Sequence, residues 1–300
     1  MNKTCTRTFA AAILLTCGTS LFADTQDAGF VEDTGAALRI EAGDELRVVS
    51  QEVPSAVCHL HNGVAPELAA DLLIEGVEKF DRLLSALMVG DADFGIIGGE
   101  EKPRTIRLLD DLQVDWKTMR AAALSVHDNP NDETSVSLVY GMASDMLEKT
   151  YVVLSELEAE YSNPVELLYS DAMLLEVSGR QAMLTQRISY LACRKWSSSA
   201  DNEYIDLLRT ATEQYRFAMQ AMQNGAPELG VNPPPTPEID AALHAVGDDT
   251  ELVLGKIDTL FETGALSAER AADLYAIMAD KMHKMEKIAH LYAEYSKRVY

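Results

Sequence analysis

The chain has 300 residues, 47% of them hydrophobic, and a formal net charge of −23 at pH 7. That balance repels nucleic-acid phosphates and anionic membrane surfaces, and it suits solubility in a salt-exposed compartment. The apolar content is ample for packed cores, and the length suggests two domains.

Residues 1–23 read as an export signal. Lys3 and Arg7 supply a positive start, residues 9–15 an apolar run, and Leu21-Phe22-Ala23 a cleavage site before Asp24. A lipoprotein anchored at Cys17, through Leu14-Leu15-Thr16-Cys17, is the alternative. The run is too short to span a bilayer, and no other stretch has the length and apolarity of a transmembrane helix. The expectation is a soluble periplasmic protein. Cys5 and Cys17 leave with the signal, so Cys58 and Cys193 are the cysteines of the mature chain.

Four helices are then expected over residues 30–162. Thr34 can cap the first, whose Leu38, Ala42, Leu46, Val49, Val53, Val57 and Leu60 recur every three or four positions. Pro54 should kink it, because proline removes a backbone donor and crowds the preceding turn. The second carries Leu68, Leu72, Leu73, Val77, Phe80, Leu84 and Leu87. A glycine-rich connection over 90–103 leads to the third, with Leu109, Leu112, Trp116 and Met119. Asp128-Asn129-Pro130-Asn131 is a strong break before the fourth, which uses Val136, Tyr140, Ala143, Leu147, Leu154 and Leu157.

Residues 163–300 read the same way. Asn163 caps a helix beginning at Pro164, with Glu166 on its first turn. Four helices follow over 164–198, 201–224, 237–262 and 267–298, and Pro233-Pro234-Pro235 stiffens the middle connection. No alternating pattern calls for strands. The fold class is all-α: two tandem four-helix bundles, each up-down-up-down.

The two halves also match residue by residue. IEAGDELRVVSQEVPSAVC, residues 40–58, returns at one constant offset as LEVSGRQAMLTQRISYLAC, residues 175–193. Glu41 falls on Glu176, Ser50 on Thr185, Gln51 on Gln186 and Cys58 on Cys193. Far downstream Phe80 still meets Tyr215, Gly90 meets Gly225, and Gly95 meets Gly230. An ungapped offset through two helices and a loop indicates internal duplication.

The Ser/Thr-Gln pair, the Gly179-Arg180-Gln181 before it and the Ala192-Cys193 after it resemble the signature AGxxRMLSQR. That is the signature of the PilJ-type domain, the N-terminal sensory domain of type IV pilus chemotaxis transducers, similar to nitrate/nitrite sensor domains. The first copy departs from it, with Asp44 for the glycine and Glu52 for the arginine after Gln51. In nitrate sensors of this kind two such helices run parallel, and arginines just ahead of the Ser/Gln pair hold the anion between them. Arg47 occupies that position here and Ala182 its counterpart. A single buried guanidinium still offers a bidentate site for a small carboxylate or oxyanion; a salt bridge to a nearby acid is the alternative.

A helical wheel supports a close partner helix. Gly43, Arg47, Ser50, Gln51, Pro54, Cys58 and His61 share one side, as do Ser178, Ala182, Thr185, Gln186, Ser189, Cys193 and Trp196. Arg187 falls off this side and reads as a structural ion-pair partner. If the copies pair as the dimeric sensors do, Cys58 and Cys193 face each other, and an oxidising compartment would close the bridge. Two reduced, buried thiols are the other outcome.

Other constellations are weaker. Met278, Met282, His283, Met285 and His290 carry groups that suit copper, yet 278, 282 and 285 have the spacing of a core face. Cys58 and His61 share a helix side, but two ligands make no closed site. No motif of a hydrolase, metalloprotease, P-loop or dinucleotide-binding enzyme is present. The chain thus reads as a non-enzymatic exported sensory protein with no metal or other cofactor. It recognises a small molecule, an anion being one candidate, through Arg47, Ser50, Gln51, Thr185 and Gln186, and acts through a membrane receptor or transducer. A structural or assembly factor that kept the fold without ligand binding is the alternative.

Overall fold

A computed structural model of the chain describes residues 35–161, 169–197 and 202–298. The expected export signal, Thr34 cap and Asn163-Pro164 helix start lie outside the described residues. The fold is all-helical: α1 (Ala36–His61), α2 (Pro66–Val89), α3 (Pro103–Asp128), α4 (Glu133–Tyr161), α5 (Tyr169–Ser197), α6 (Asn202–Asn224), α7 (Pro237–Thr263) and α8 (Ala268–Arg298).

Local chemistry sets these boundaries. Pro66, Pro103 and Pro237 open α2, α3 and α7, where a missing N–H costs nothing. Asp132 starts α4, its carboxylate accepting from the Ser135 N–H at 3.2 Å and from the Ser125 hydroxyl at 2.7 Å. Thr236 caps α7 through the Ile239 N–H at 3.2 Å. α1 continues through Pro54 to His61. Pro54 cannot donate to the Ser50 carbonyl, and Gln51 Nε2 does so instead at 3.1 Å.

The connections after α2 and α6 are alike in detail. Asp91 bridges to Ile96 in one and Ala226 to Val231 in the other, around short 3₁₀ turns at Ala92–Phe94 and Pro227–Leu229. Each turn ends on a glycine with positive φ, 71° at Gly95 and 78° at Gly230, a conformation that penalises any Cβ. The two turns stand 135 residues apart, the same separation as Cys58 and Cys193.

α1 packs on α2 and α4, and α3 on α4 and α2; α5 packs on α6 and α8, and α7 on α8 and α6. The halves are joined chiefly by α1 lying against α5. Residues 46–60 of α1 are buried without exception, as are 181–186 and 188–193 of α5. Two cores result. One gathers Leu46, Val53, Phe80, Leu109, Trp116 and Met119. The other gathers Tyr215, Met219, Leu243, Ile257, Met278 and Met285. Each large side chain so buried contributes about 1.5–3 kcal/mol. Met278, Met282 and Met285 are spent on that packing, at 1%, 2% and 0% exposure. No helix among the described residues is long and apolar enough to cross a membrane.

Candidate functional site

A helix buried on all sides ordinarily carries apolar residues all round. α1 instead buries Arg47, Ser50, Gln51, Glu52, Ser55 and His59, and each must find a partner or lose the water it gave up. Much of that partnering crosses to α5. Ser55 Oγ donates to Ser189 Oγ at 3.0 Å, and Arg187 Nη1 donates to Gln51 Oε1 at 3.1 Å. Cys58 and Cys193 form a disulfide, their Cα atoms 6.2 Å apart and both side chains fully buried. Positions rise together along both helices, so α1 and α5 run parallel. A crosslink closing so long a loop adds about 2–4 kcal/mol by restricting the unfolded chain.

The small-residue side of the wheel meets two helices. Gly43 faces α4, where a Cβ would come 2.7 Å from Leu157 Cδ1. Arg47, Gln51 and Cys58 of that side reach α5, and so do Asp44 and Ser55, which lie off it. Gly179 of the signature makes room there: a Cβ on it would lie 1.7 Å from Asp44 Oδ2, so any side chain would push the Asp44 carboxylate aside.

Four of the five candidate ligand residues spend their polar atoms inside the protein. Ser50 Oγ donates to the Arg47 carbonyl at 2.7 Å and Thr185 Oγ1 to the Gln181 carbonyl at 2.9 Å. Gln186 Nε2 approaches Met282 Sδ at 2.9 Å. Gln51 binds three groups at once: the Ser50 carbonyl, the Ala143 carbonyl of α4 at 3.1 Å, and Arg187. Arg187 therefore pairs with a neutral amide where a carboxylate was expected. Burial holds its pKa below the usual arginine range.

Arg47 differs. It is 1% exposed, donates through Nη2 to Asp44, lies 3.9 Å from Glu176 of α5, and sits over the Tyr151 ring of α4 at 5.1 Å. Its Nε and Nη1 make no hydrogen bond among the described residues. Around it Arg180 Nε donates to Glu176 at 3.0 Å and Arg180 Nη2 to the Tyr151 hydroxyl at 2.8 Å. Burial raises the Asp44 carboxyl, with Arg47 pulling the other way. Burial and then the neighbouring Glu176 raise Glu158. Three carboxyls thus share this end of the α1–α4–α5 junction with two guanidinium groups. Asp44, the residue that departs from the signature's glycine, is the one that engages Arg47.

Three polar groupings escaped the sequence reading. Arg39, 3% exposed, donates to the carbonyls of Leu87 and Gly98 at 3.3 and 2.7 Å and lies 3.8 Å from Glu100, which accepts from the Tyr161 hydroxyl at 2.7 Å. His59 stacks on Tyr275 with ring centroids 3.7 Å apart and meets Trp196 edge-on. Lys281, fully buried, donates to the Val246 carbonyl at 2.7 Å and to Thr250 Oγ1 at 2.8 Å. Arg39 and Lys281 sit in phase with the apolar stripes of α1 and α8, and that phase is the signal that could have exposed them.

The architecture so defined is an all-helical protein organised on a disulfide-linked, parallel helix pair. Comparison of the chain with models of known families finds no match, and comparison with curated proteins finds none either.

Proposed function

We propose that the chain is an exported, non-enzymatic sensor of the PilJ type, formed by duplication of a four-helix unit. On this reading α1 and α5 stand for the two central helices that separate subunits contribute in dimeric sensors. Turns and cysteines that recur at one offset, and helix boundaries that recur within about two residues of it, support this reading, as does the parallel course of α1 and α5. A small molecule binds at Arg47, and the bound state is passed to a membrane receptor through a change in helix packing.

The observation that carries the reading is the Arg47 guanidinium, 1% exposed with two nitrogens, Nε and Nη1, unbonded among the described residues. Leaving such donors without an acceptor costs about 1–3 kcal/mol each, so an acceptor oxygen is favoured there. Asp44, Glu158 and Glu176 surround that position, so a zwitterionic or neutral oxygen-bearing ligand suits it better than a free anion. A thermal-shift panel of amino acids, neutral amides, carboxylates and nitrate on the disulfide-intact protein tests this. A zwitterion should raise Tm with concentration in the wild type and not in Arg47→Ala. A panel with no response in either protein would contradict it.

The second reading is an assembly factor that kept the fold without the ligand. The Cys58–Cys193 bond favours it, because a crosslink between the central helices opposes the sliding that a sensor uses.

A further inference from the structure

On the side of α1 away from Arg47, charged groups of both halves meet. Lys79 of α2 lies 3.3 Å from Glu45 of α1 and 2.9 Å from Glu286 of α8. His283 of α8 lies 3.6 Å from Glu286. Glu52 of α1 is 4% exposed beside Gly76 of α2, where a Cβ would stand 3.7 Å from its carboxyl carbon. Among the described residues it forms no ion pair. The groups that act on it are Glu75 and Lys79 from α2 and His283 and Glu286 from α8, while its own charge acts on the Tyr275 hydroxyl of α8.

We propose that Glu52, Lys79, His283 and Glu286 form an acid-closed clasp that seats α8 of the second half on α1 and α2 of the first, and that the clasp loosens as pH rises past neutrality. The inference does not rest on the ligand reading above. When Glu52 is neutral, nothing charged and unpaired is buried at the seam. When it ionises, a buried third carboxylate competes with the partly exposed Glu45 and Glu286 for the one Lys79 ammonium, and water screens that competition only in part. His283 works in the same direction. Its hydrogen bond to Glu286 raises its pKa, so mild acid adds a second cation to the cluster.

The protonation states fit this range. Burial lifts the Glu52 carboxyl to about 7, with Lys79 opposing. Burial pulls Lys79 down, but Glu45 and Glu286 outweigh it and hold the ammonium above its usual range. A carboxyl whose folded pKa is raised contributes stability that is complete below its unfolded pKa and is lost as pH rises through the folded one. The clasp is therefore closed near pH 5 and weakened near pH 8.

Hydrogen exchange along α8 of the disulfide-intact protein tests the clasp, with wild type and Glu52→Gln compared at the same pH. At pH 8 the Gln variant should be protected about tenfold more than wild type over the His283 turn, and at pH 5 the two should coincide. Equal protection at both pH values, or one constant difference, would overturn the proposal. If Glu52→Gln fails to fold, a ¹³C titration of the Glu52 carboxyl in wild type decides. A midpoint near 7, moving up in Lys79→Met, supports the clasp; a midpoint in the ordinary glutamate range rejects it.

Discussion

Gln51 and Arg187 meet across the α1–α5 seam, Arg187 Nη1 donating to Gln51 Oε1 at 3.1 Å. The same amide donates to the Ser50 carbonyl that Pro54 leaves without a partner, and to the Ala143 carbonyl. One side chain thus repairs α1, fixes α4 and solvates a half-buried guanidinium. Gln51→Leu should lower stability by on the order of 3 kcal/mol, since three polar groups lose their partner at once. Gln186→Leu, losing a single contact to a thioether, should cost less than about 1.5 kcal/mol. Urea unfolding of the disulfide-intact proteins measures both, and equal costs would deny Gln51 this role.

His59 carries an opposite pH signature to Glu52. Burial pushes its imidazole down to about 3, the Ser55 carbonyl at 2.7 Å pulling slightly upward. The folded state holds it neutral while the unfolded chain takes up a proton near 6.5. Its contribution is thus present above pH 6.5 and is lost as pH falls toward 3. His59→Phe keeps a ring against Tyr275 and removes the proton. Relative to wild type the variant should gain about 2 kcal/mol on going from pH 7.5 to pH 5. A pH-independent difference would show that His59 titrates normally.

Lys281 lies among core methionines where the first half has Met146, itself 1% exposed. Burial lowers the ammonium to about 8, with Asp249 opposing. The folded state therefore resists the proton that the unfolded chain holds up to about pH 10, and this penalty is full below pH 8. Lys281→Met should stabilise the protein by about 2 kcal/mol at pH 7. Thr250 Oγ1 still donates to the Val246 carbonyl at 2.9 Å in that variant, so both acceptors keep a partner. The gain should fade between pH 8 and pH 10 in unfolding curves. A loss of stability at pH 7 would mean that the lysine's bonds outweigh its burial.

The helices were legible because core residues recur at three and four positions, and because Pro66, Pro103, Asn129 and Gly264 mark their ends. The pairing of α1 with α5 was legible for a different reason: small residues at Ser178, Ala182, Ser189 and Cys193 leave a face that suits another helix, and the resemblance to paired sensor helices named which one. Polar partners were not legible. Whether Arg47 meets a ligand or Asp44 depends on a rotamer and on a glycine one helix away, and neither has a periodicity. Glu52 likewise reads as a lost signature residue until α8 is seen to cover it.

The central claim is that α1 and α5 run side by side, parallel and in register, with Cys58 bonded to Cys193. A peptide map of the unreduced protein tests it most directly. The peptide containing Cys58 should be found joined to the peptide containing Cys193, and the pair should separate on reduction. Recovery of both as free thiols would contradict the pairing, and with it the organisation of the two halves around one helix pair.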